Sequence, residues 1–253
     1  MATSFVPAAP LLELVDVRRR RGRGADDFTL EIGCLTVRAG DRLAITGPNG
    51  SGKSTCLDLL SLTLAPSAAS RFAVALDGGI HDIAAAWRRG DRGELARLRA
   101  GHIGYVLQVG GLLPFLDVRE NVALPLRLRG ALDADGVARV EALLERLGVA
   151  ALADRRPAAL SLGERQKAAV ARALVHRPRL VLADEPTASL DQRAAEEVMR
   201  LFAELIQENG CATILVTHSQ SLATRHGFTP VACLPLPEAG EGRRSRIEHH
   251  AAA

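Results

Sequence analysis

Aromatic residues and long apolar runs are both scarce in this chain of 253 residues, and each shortage excludes a class of protein. One Trp, one Tyr and six Phe are too few for the stacking platforms that bind single-stranded nucleic acids. No apolar run approaches the length of a membrane-spanning helix. The N-terminal stretch MATSFVPAAP lacks the charged and apolar segments of a secretory signal. We therefore expect a soluble, cytosolic protein without a nucleic-acid partner.

Cysteine and lysine are also rare. The four cysteines have neither CxxC nor metal-ligand spacing, so we predict small core residues in a reducing compartment at Cys34, Cys56, Cys211 and Cys233. Lysine occurs only at Lys53 and Lys167, whereas arginine is abundant. The formal net charge of +3 is small for this length and does not by itself indicate a polyanionic partner.

One of the two lysines lies in a glycine-rich segment that fits the phosphate-binding pattern G-x-x-x-x-G-K-[ST]. An apolar strand predicted at residues 42–46 precedes this segment, and a helix predicted at 56–62 follows it. Glycines let backbone N–H groups point at an anion, and the helix N-terminus adds partial positive charge. A simple Gly/Ser turn is the alternative, but the order of strand, loop and helix favours a phosphate-binding loop (P-loop). We predict that it consists of Gly47, Pro48, Asn49, Gly50, Ser51, Gly52, Lys53, Ser54 and Thr55.

Strand and helix patterns alternate along most of the chain. We predict further strands at residues 11–17, 28–32, 35–37, 71–76, 102–108, 180–183 and 212–217. The predicted helices are at residues 118–129, 134–148, 162–175 and 192–208. This alternation predicts an α/β fold with a mainly parallel sheet. From Glu238 onward we expect a loose tail in which His249 and His250 are solvated residues and not metal ligands.

Two adjacent acids follow the apolar strand predicted at 180–183. Open α/β sheets bind ligands at the carboxyl ends of their strands, which is where Asp184 and Glu185 fall. A P-loop enzyme needs one carboxylate near Mg²⁺ and a group that handles the attacking water. We predict that Asp184 takes the first role and that Glu185 is the general base. A pair of surface acids is the alternative, which the P-loop upstream disfavours.

A basic run, Arg18 to Arg21 with Arg23, follows the first predicted strand. It could contact phosphates or membrane headgroups. A solvated turn between two edge strands is the explanation that we favour.

A further motif, Leu160-Ser161-Leu162-Gly163-Glu164, opens the helix predicted at 162–175. It resembles the LSGGQ or LSGGE signature of the ATP-binding cassette (ABC) ATPases, and the helix continues in a similar way. Other family elements follow in register. Gln108 matches the Q-loop glutamine, residues 189–191 match the D-loop and His218 matches the switch histidine. The resemblance runs from about residue 11 to residue 223.

The resemblance implies a P-loop NTPase core with an N-terminal antiparallel β subdomain and an inserted helical subdomain. A single ABC ATPase domain would span residues 1–237, with a RecA-like core and β subdomain at 1–108 and 166–237 and the helical subdomain at 109–165. Two copies would form a homodimer around two ATP. Each ATP would lie between the P-loop of one copy and Ser161, Gly163 and Glu164 of the other.

The resemblance also implies individual roles. Ser54, Gln108 and Asp184 would surround Mg²⁺, with Lys53 on the phosphates. His218 would contact the γ-phosphate and keep the water of Glu185 in line, and Asp191 would link the two active sites.

Two departures from the family pattern stand out. Leu162 replaces the first signature glycine, so we expect ATP-driven dimerisation to be retained with an altered rate. The aromatic residue on which the family stacks adenine is matched by Arg20 or Arg21. A guanidinium can stack on a purine, which favours Arg21, but Phe28 could serve instead.

The resemblance finally implies an ATPase subunit of an ABC transporter, placed peripherally on the cytoplasmic face of the inner membrane and driving separately encoded permease subunits. Residues 110–122 and 182–187 are similar to the lipoprotein-releasing and macrolide-export type ATPases, which favours export or extraction over import. We expect the segment after Gln108 to contact the permease. A regulatory ATPase that signals through a membrane partner stays open, as does a soluble ABC ATPase acting on ribosomes or DNA.

Overall fold

A computed structural model describes residues 10–22, 27–237 and 242–250. The strands in this part of the chain are β1 (Leu12–Arg21), β2 (Phe28–Val37), β3 (Arg42–Thr46), β4 (Arg71–Leu76), β5 (Gly79–Asp82), β6 (Ile103–Val106), β7 (Leu180–Asp184), β8 (Ala212–Val216), β9 (Thr229–Pro235) and β10 (Arg243–His249). The helices are α1 (Lys53–Leu60), α2 (Ile83–Arg89), α3 (Arg92–His102), α4 (Val118–Leu128), α5 (Ala134–Arg146), α6 (Leu162–Leu174), α7 (Gln192–Asn209) and α8 (Gln220–Arg225). No described helix is both long and apolar enough to cross a membrane.

The strands form one sheet in the order β5-β4-β1-β2-β10-β9-β3-β8-β7-β6. Strands β9, β3, β8, β7 and β6 are parallel neighbours, and the apolar residues of β3, β8, β7 and β6 are largely buried. At the other end, β1, β2, β4 and β5 pair antiparallel. The predicted α/β fold, with a mainly parallel core sheet and an antiparallel β subdomain, is confirmed.

Helices α4 and α5 form the helical segment between the two strand blocks, together with short 3-10 turns at Ala150–Leu152 and Pro157–Ala159. Each helix begins at an aspartate whose side chain accepts a hydrogen bond from the helix backbone, Asp117 in α4 and Asp133 in α5. Their apolar faces share one core cluster with α6 and α7. Helix α6 begins at Leu162, so it crosses the predicted subdomain boundary at residue 165.

The prediction of a loose tail from Glu238 is wrong for residues 243–249. These residues form β10, which pairs in parallel with β2 and antiparallel with β9. Ile247 is fully buried, and Arg244 and Arg246 both bind the buried carboxylate of Glu31. The arginine-rich sequence hides this role, because its partner lies more than two hundred residues earlier in the chain.

Two other predictions need correction in the β subdomain. The basic residues 18–21 are part of β1 and pair with β2, so they are not a turn between edge strands. Residues 28–32 and 35–37 belong to one strand, because β2 runs through Gly33. A Cβ atom at Gly33 would lie 2.8 Å from Oε1 of Glu248, at the point where the β2–β10 register shifts. The glycine therefore accommodates the neighbouring strand.

Candidate functional site

Four neighbouring parallel strands end at one edge of the sheet. The P-loop follows β3, Gln108 lies two residues after β6, Glu185 follows β7, and His218 lies two residues after β8. The order β3-β8-β7-β6 places these residues side by side although they are far apart in sequence. The structure therefore brings together the P-loop, the glutamine, the acidic pair and the histidine that the sequence predicts as site residues.

The P-loop has the backbone that its glycines predict. Gly52 has φ 94° and serves as N-cap of α1, which has no side-chain cap, so the first N–H groups of the helix have no side-chain acceptor. A Cβ at Gly47 would lie 2.4 Å from the carbonyl oxygen of Cys233, so only glycine fits there. Such a loop presents backbone donors at a helix N-terminus, which suits a phosphate.

Lys53 is buried at the base of this loop. Its Nζ donates hydrogen bonds to the carbonyl oxygens of Gly47 and Pro48, at 3.0 and 2.9 Å. Ser51 is also buried, and its hydroxyl oxygen has no hydrogen-bond partner among the described residues. A buried ammonium and a buried, unpartnered hydroxyl side by side are costly alone but match an anionic ligand.

Asp184, at the end of β7, accepts a hydrogen bond from the hydroxyl of Ser54 in the first turn of α1. Burial raises the pKa of the Asp184 carboxyl above its usual value, and the charge of Glu185 raises it further. The Ser54 hydrogen bond and Lys53 act in the opposite direction. A half-buried carboxylate beside a second acid is the kind of group that a divalent cation stabilises.

Glu185 and His218 are in direct contact at this edge. Glu185 Oε1 lies 2.8 Å from His218 Nε2, and the glutamate side chain is 18% exposed. Glu185 has φ 46°, a left-handed conformation that is uncommon for a residue other than glycine. Its backbone N–H donates to Val216 O at 2.9 Å, which fixes this turn to the end of β8. The side chains open into a cleft of about 550 Å³ that Thr187 and Ser219 also line.

The signature residues occupy the N-terminus of α6. The hydroxyl of Ser161 accepts from the backbone N–H of Glu164, and Glu164 accepts from both the backbone N–H and the hydroxyl of Ser161. These hydrogen bonds hold the pKa of Glu164 below its usual value. Leu162 is 43% exposed beside them. Among the described residues, no hydrogen bond or ion pair joins residues 161–164 to the P-loop of the same chain.

Asp191 is the N-cap of α7, and its carboxylate accepts from the Ala194 backbone N–H at 2.9 Å. A Cβ at Gly163 would lie 3.8 Å from the Cβ of Ala194. The D-loop and the signature therefore lie next to each other, one at the start of α7 and one at the start of α6.

Gln108 is exposed in a turn after β6, and the backbone around it is fixed to α6. The Gln166 side chain donates to Leu107 O at 3.2 Å, and Arg172 donates to the carbonyl oxygens of Gly110 and Gly111. Further along, the fully buried Asn121 bonds both backbone groups of Leu113. A displacement of residues 107–111 would therefore act directly on the helix that carries the signature, and a displacement of Leu113 would act on α4.

Two of the three residues predicted as candidates for the adenine contact, Arg20 and Arg21, are already paired with acids. Arg20 bonds Asp27 at 2.9 Å, and Arg21 Nη2 lies 2.7 Å from Asp58 Oδ2 on α1. The Phe28 ring lies against the P-loop, because a Cβ at Gly52 would be 2.7 Å from Phe28 Cζ.

Arg243, on β10, is a residue of this region that the sequence analysis missed. It pairs with Phe28 across the β2–β10 ladder, and its Nη1 lies 3.8 Å from the position of a Cβ at Gly50. No side-chain hydrogen bond or ion pair of Arg243 is formed with the described residues. It belongs to the segment that was predicted to be a loose tail, and only the pairing of β10 with β2 reveals its place.

These features suit a nucleoside triphosphate with Mg²⁺. The P-loop donors, Lys53 and the unpartnered Ser51 hydroxyl match phosphate oxygens, and Ser54 with Asp184 supplies the oxygen ligands that Mg²⁺ prefers. No cluster of three or more His, Cys, Asp or Glu side chains able to hold a metal was found among the described residues.

The fold and this edge define a P-loop nucleotide-binding ATPase with a glutamate–histidine pair beside the phosphate loop. Residues 32–188 match the sequence profile of the ABC transporter family. The chain therefore belongs to the ABC transporter ATPases, and it is an ATP-binding, ATP-hydrolysing member of that family.

Individual relatives agree with this assignment. The chain is 46% identical over 191 residues to the lipoprotein-releasing system ATP-binding protein LolD of Alcanivorax borkumensis, covering 76% of this chain and 80% of that protein. It is 41% identical over 216 residues to the macrolide export ATP-binding/permease protein MacB of Marinobacter nauticus, covering 85% of this chain but 32% of the relative. A solved dimeric bacterial ABC transporter cassette is 32% identical with a TM-score of 0.73, covering 87% of this chain and 93% of that one. The same cassette in a dimeric post-hydrolysis state with ADP and Pi gives a TM-score of 0.72.

Proposed function

We propose that the chain is the ATPase subunit of an export or extraction system, dimerising around two ATP and driving a separately encoded membrane permease. The observation that carries the catalytic part is the contact of Glu185 with His218 at the strand edge that also carries the P-loop. The likeness to lipoprotein-releasing and macrolide-export proteins supports the transport class.

The residues have distinct tasks in hydrolysis. Glu185 accepts the proton of the attacking water while the oxygen of that water bonds to the γ-phosphorus and the bond to the β-phosphate oxygen breaks. His218, held by Glu185, orients this carboxylate and approaches the γ-phosphate. Lys53 and the P-loop amides hold the phosphates, and Ser54, Asp184 and Gln108 would surround Mg²⁺. The metal ion supplies positive charge to the phosphates.

Dimerisation supplies what the single chain lacks near its P-loop. Within the described residues, the N-terminus of α6, with Ser161 and Gly163, makes no hydrogen bond to the P-loop of its own chain. Its backbone N–H groups suit the γ-phosphate of an ATP that is bound to a second copy. The dimeric cassettes among the solved relatives support this arrangement. Asp191 beside Gly163 would connect the two sites.

The permease contact is expected beside the segment after Gln108. Exposed apolar side chains collect there and on the adjoining helix α4, at Val109 (61% exposed), Phe115 (67%) and Leu128 (77%). Leu128 and Pro125 also line a groove of about 360 Å³ between α3, α4 and α6. An apolar helix of a membrane partner fits such a groove. Through its permease, the chain would sit at the membrane surface without crossing it.

The test is co-expression with the membrane protein encoded beside it, followed by co-purification. Phe115→Ser with Leu128→Ser should abolish association while leaving the ATPase rate of the isolated chain unchanged. Val137→Ser is the matched control, since Val137 is an exposed apolar residue of α5 in the same helical segment. Retained association of the double variant would contradict this contact.

Transport and regulation need a second readout. Hydrolysis stimulated by a lipoprotein or an apolar drug in reconstituted vesicles, with movement of that compound, supports transport. Hydrolysis without any movement across or out of the membrane would favour the regulatory alternative.

A further inference from the structure

A second basic cleft lies at the opposite end of the strands from the nucleotide site. Its volume is about 770 Å³, and the residues that line it include Asp77, His102, Arg129, His176, Arg177 and Arg179. We call it the arginine cleft. His102 directly precedes β6 and Arg179 directly precedes β7, whereas the catalytic residues follow these strands. Strands of four to five residues separate the two places by about 15 Å.

Backbone hydrogen bonds fix the floor of the arginine cleft. The N–H of Arg179 donates to His102 O at 2.9 Å, and His176 Nε2 lies 3.3 Å from Ile103 O. The Arg129 guanidinium donates to His176 O at 3.3 Å. The wall opposite is the tight β4–β5 turn at Asp77 and Gly78, both of which have positive φ. The cleft is thus built from ordered elements, and not from chain ends.

The charges in the arginine cleft are unbalanced. The side chains of Arg177 and Arg179 form no hydrogen bond or ion pair with the described residues, and the Arg129 side chain bonds only a carbonyl oxygen. The single carboxylate, Asp77, is engaged by His102 at 2.9 Å. A cleft lined by three arginines and by one carboxylate that is already paired favours an anionic ligand.

Two further features point to a ligand. Arg177 has φ 52° three residues after the end of α6, a left-handed conformation that favours glycine, so an arginine at this position has a conformational cost. His176 is 7% exposed, and burial beside Arg129 lowers its pKa to about 4, so the ring is neutral. Because Nε2–H faces Ile103 O, Nδ1 is an acceptor, and it has no partner among the described residues.

We propose that the arginine cleft binds a small phosphorylated molecule that carries two phosphoryl groups. Planar guanidiniums bind phosphate oxygens in pairs, and three of them suffice for two phosphoryl groups. The cleft volume falls within the range of small-molecule sites, and its concave shape suits a compact ligand better than a protein surface. The site is separate from the P-loop and does not depend on the proposed transport function.

The probe for this site is fructose 1,6-bisphosphate, titrated calorimetrically into the full chain saturated with Mg²⁺ and ADP. Saturation keeps the P-loop occupied, so it does not contribute heat. We expect saturable binding that the Arg177→Gln/Arg179→Gln double variant weakens at least about tenfold. Arg155→Gln/Arg156→Gln is the matched control, because these two arginines lie outside the cleft. Both are exposed, and neither has a side-chain partner among the described residues. Its affinity should equal that of the wild type.

Several results would overturn the proposal. These are the absence of saturable binding, equal weakening by both double variants, and equally tight binding of citrate at matched ionic strength. Displacement of the probe by vesicles containing phosphatidic acid, with tighter binding of the vesicles, would place the phosphoryl group on a lipid instead of a small molecule. An ATPase assay on the same preparations separates this result from the proposed function, since loss of one leaves the other intact.

Discussion

Glu185 Oε1 lies 2.8 Å from His218 Nε2, although the two residues follow different strands and are 33 positions apart. Glu185 reaches this position through a left-handed backbone turn that is hydrogen-bonded to the end of β8. The pair therefore depends on the register of β7 against β8. Strain at such a residue is maintained only where the surrounding structure fixes it, as is common in active sites.

Glu185→Gln should lower the ATP hydrolysis rate by about 100-fold or more, because the amide cannot accept the proton of the attacking water. Its volume and hydrogen-bonding shape are similar, so the thermal stability should change little. Hydrolysis is measured by phosphate release and dimerisation by size-exclusion chromatography with ATP. We expect the variant to accumulate as an ATP-bound dimer, and a near wild-type rate would remove Glu185 as the base.

Leu162→Gly tests the departure in the signature. Leu162 is exposed at the first position of α6, where its side chain would face the ATP of a second copy. Removing it should let the helix N-terminus approach more closely and raise the hydrolysis rate, by about tenfold or less. ATP-driven dimerisation should be retained. Leu234→Gly, a change at another exposed leucine, controls for general effects, and an unchanged rate in Leu162→Gly would show that the residue is neutral.

Arg243→Ala should weaken ATP binding by about three- to tenfold, because this guanidinium lies beside Gly50, has no side-chain partner among the described residues and can reach the nucleotide. Arg21→Ala should have a smaller effect, since Arg21 is already paired with Asp58. Phe28→Ala should weaken binding by disturbing the packing on Gly52. Affinities are measured with a fluorescent ATP analogue. If all three variants bind ATP as tightly as the wild type, the adenine contact lies elsewhere.

Ile247→Ala should destabilise the fold by about 2–4 kcal/mol, because it leaves a cavity between β2 and β9 at a fully buried position. Leu234→Ala on the neighbouring strand should change the free energy of unfolding by only about 0.5 kcal/mol, since that side chain is 58% exposed. Both are measured by urea unfolding. Equal effects would indicate that residues 243–249 do not pack as a strand of the sheet.

Glu31→Gln should remove part of the acid sensitivity of the fold. Burial alone would raise the pKa of Glu31, but hydrogen bonds from Arg244 and Arg246 hold it below its ordinary value near 4.5. A lowered pKa contributes stability above that value, which is lost as the pH falls through the lower pKa of the folded state. At neutral pH the free energy of unfolding of the variant should be lower by about 1–2 kcal/mol. The loss is limited to this size because the arginines are partly exposed.

The measurement is urea unfolding at several pH values from 7 downward. The difference between wild type and variant should be constant near neutrality and shrink below about pH 4.5. Glu248→Gln, which changes an exposed carboxylate of the same region, should leave the profile unchanged. A difference that grows on acidification would contradict the sign of this linkage.

The sequence by itself determined the local features: the P-loop, the acidic pair after an apolar strand, the signature at a helix start and the α/β class. Each depends on residue type and spacing within a few positions, which the chain shows directly. The tertiary structure alone decided which distant residues meet. The Glu185–His218 contact, the anchoring of residues 107–111 to α6, the place of β10, and Arg243 beside the P-loop all depend on strand order and register. Residues 243–249 are rich in arginine and have no apolar pattern that predicts a strand. They pack in the sheet because Arg244 and Arg246 bind Glu31, which lies on a strand far away in sequence.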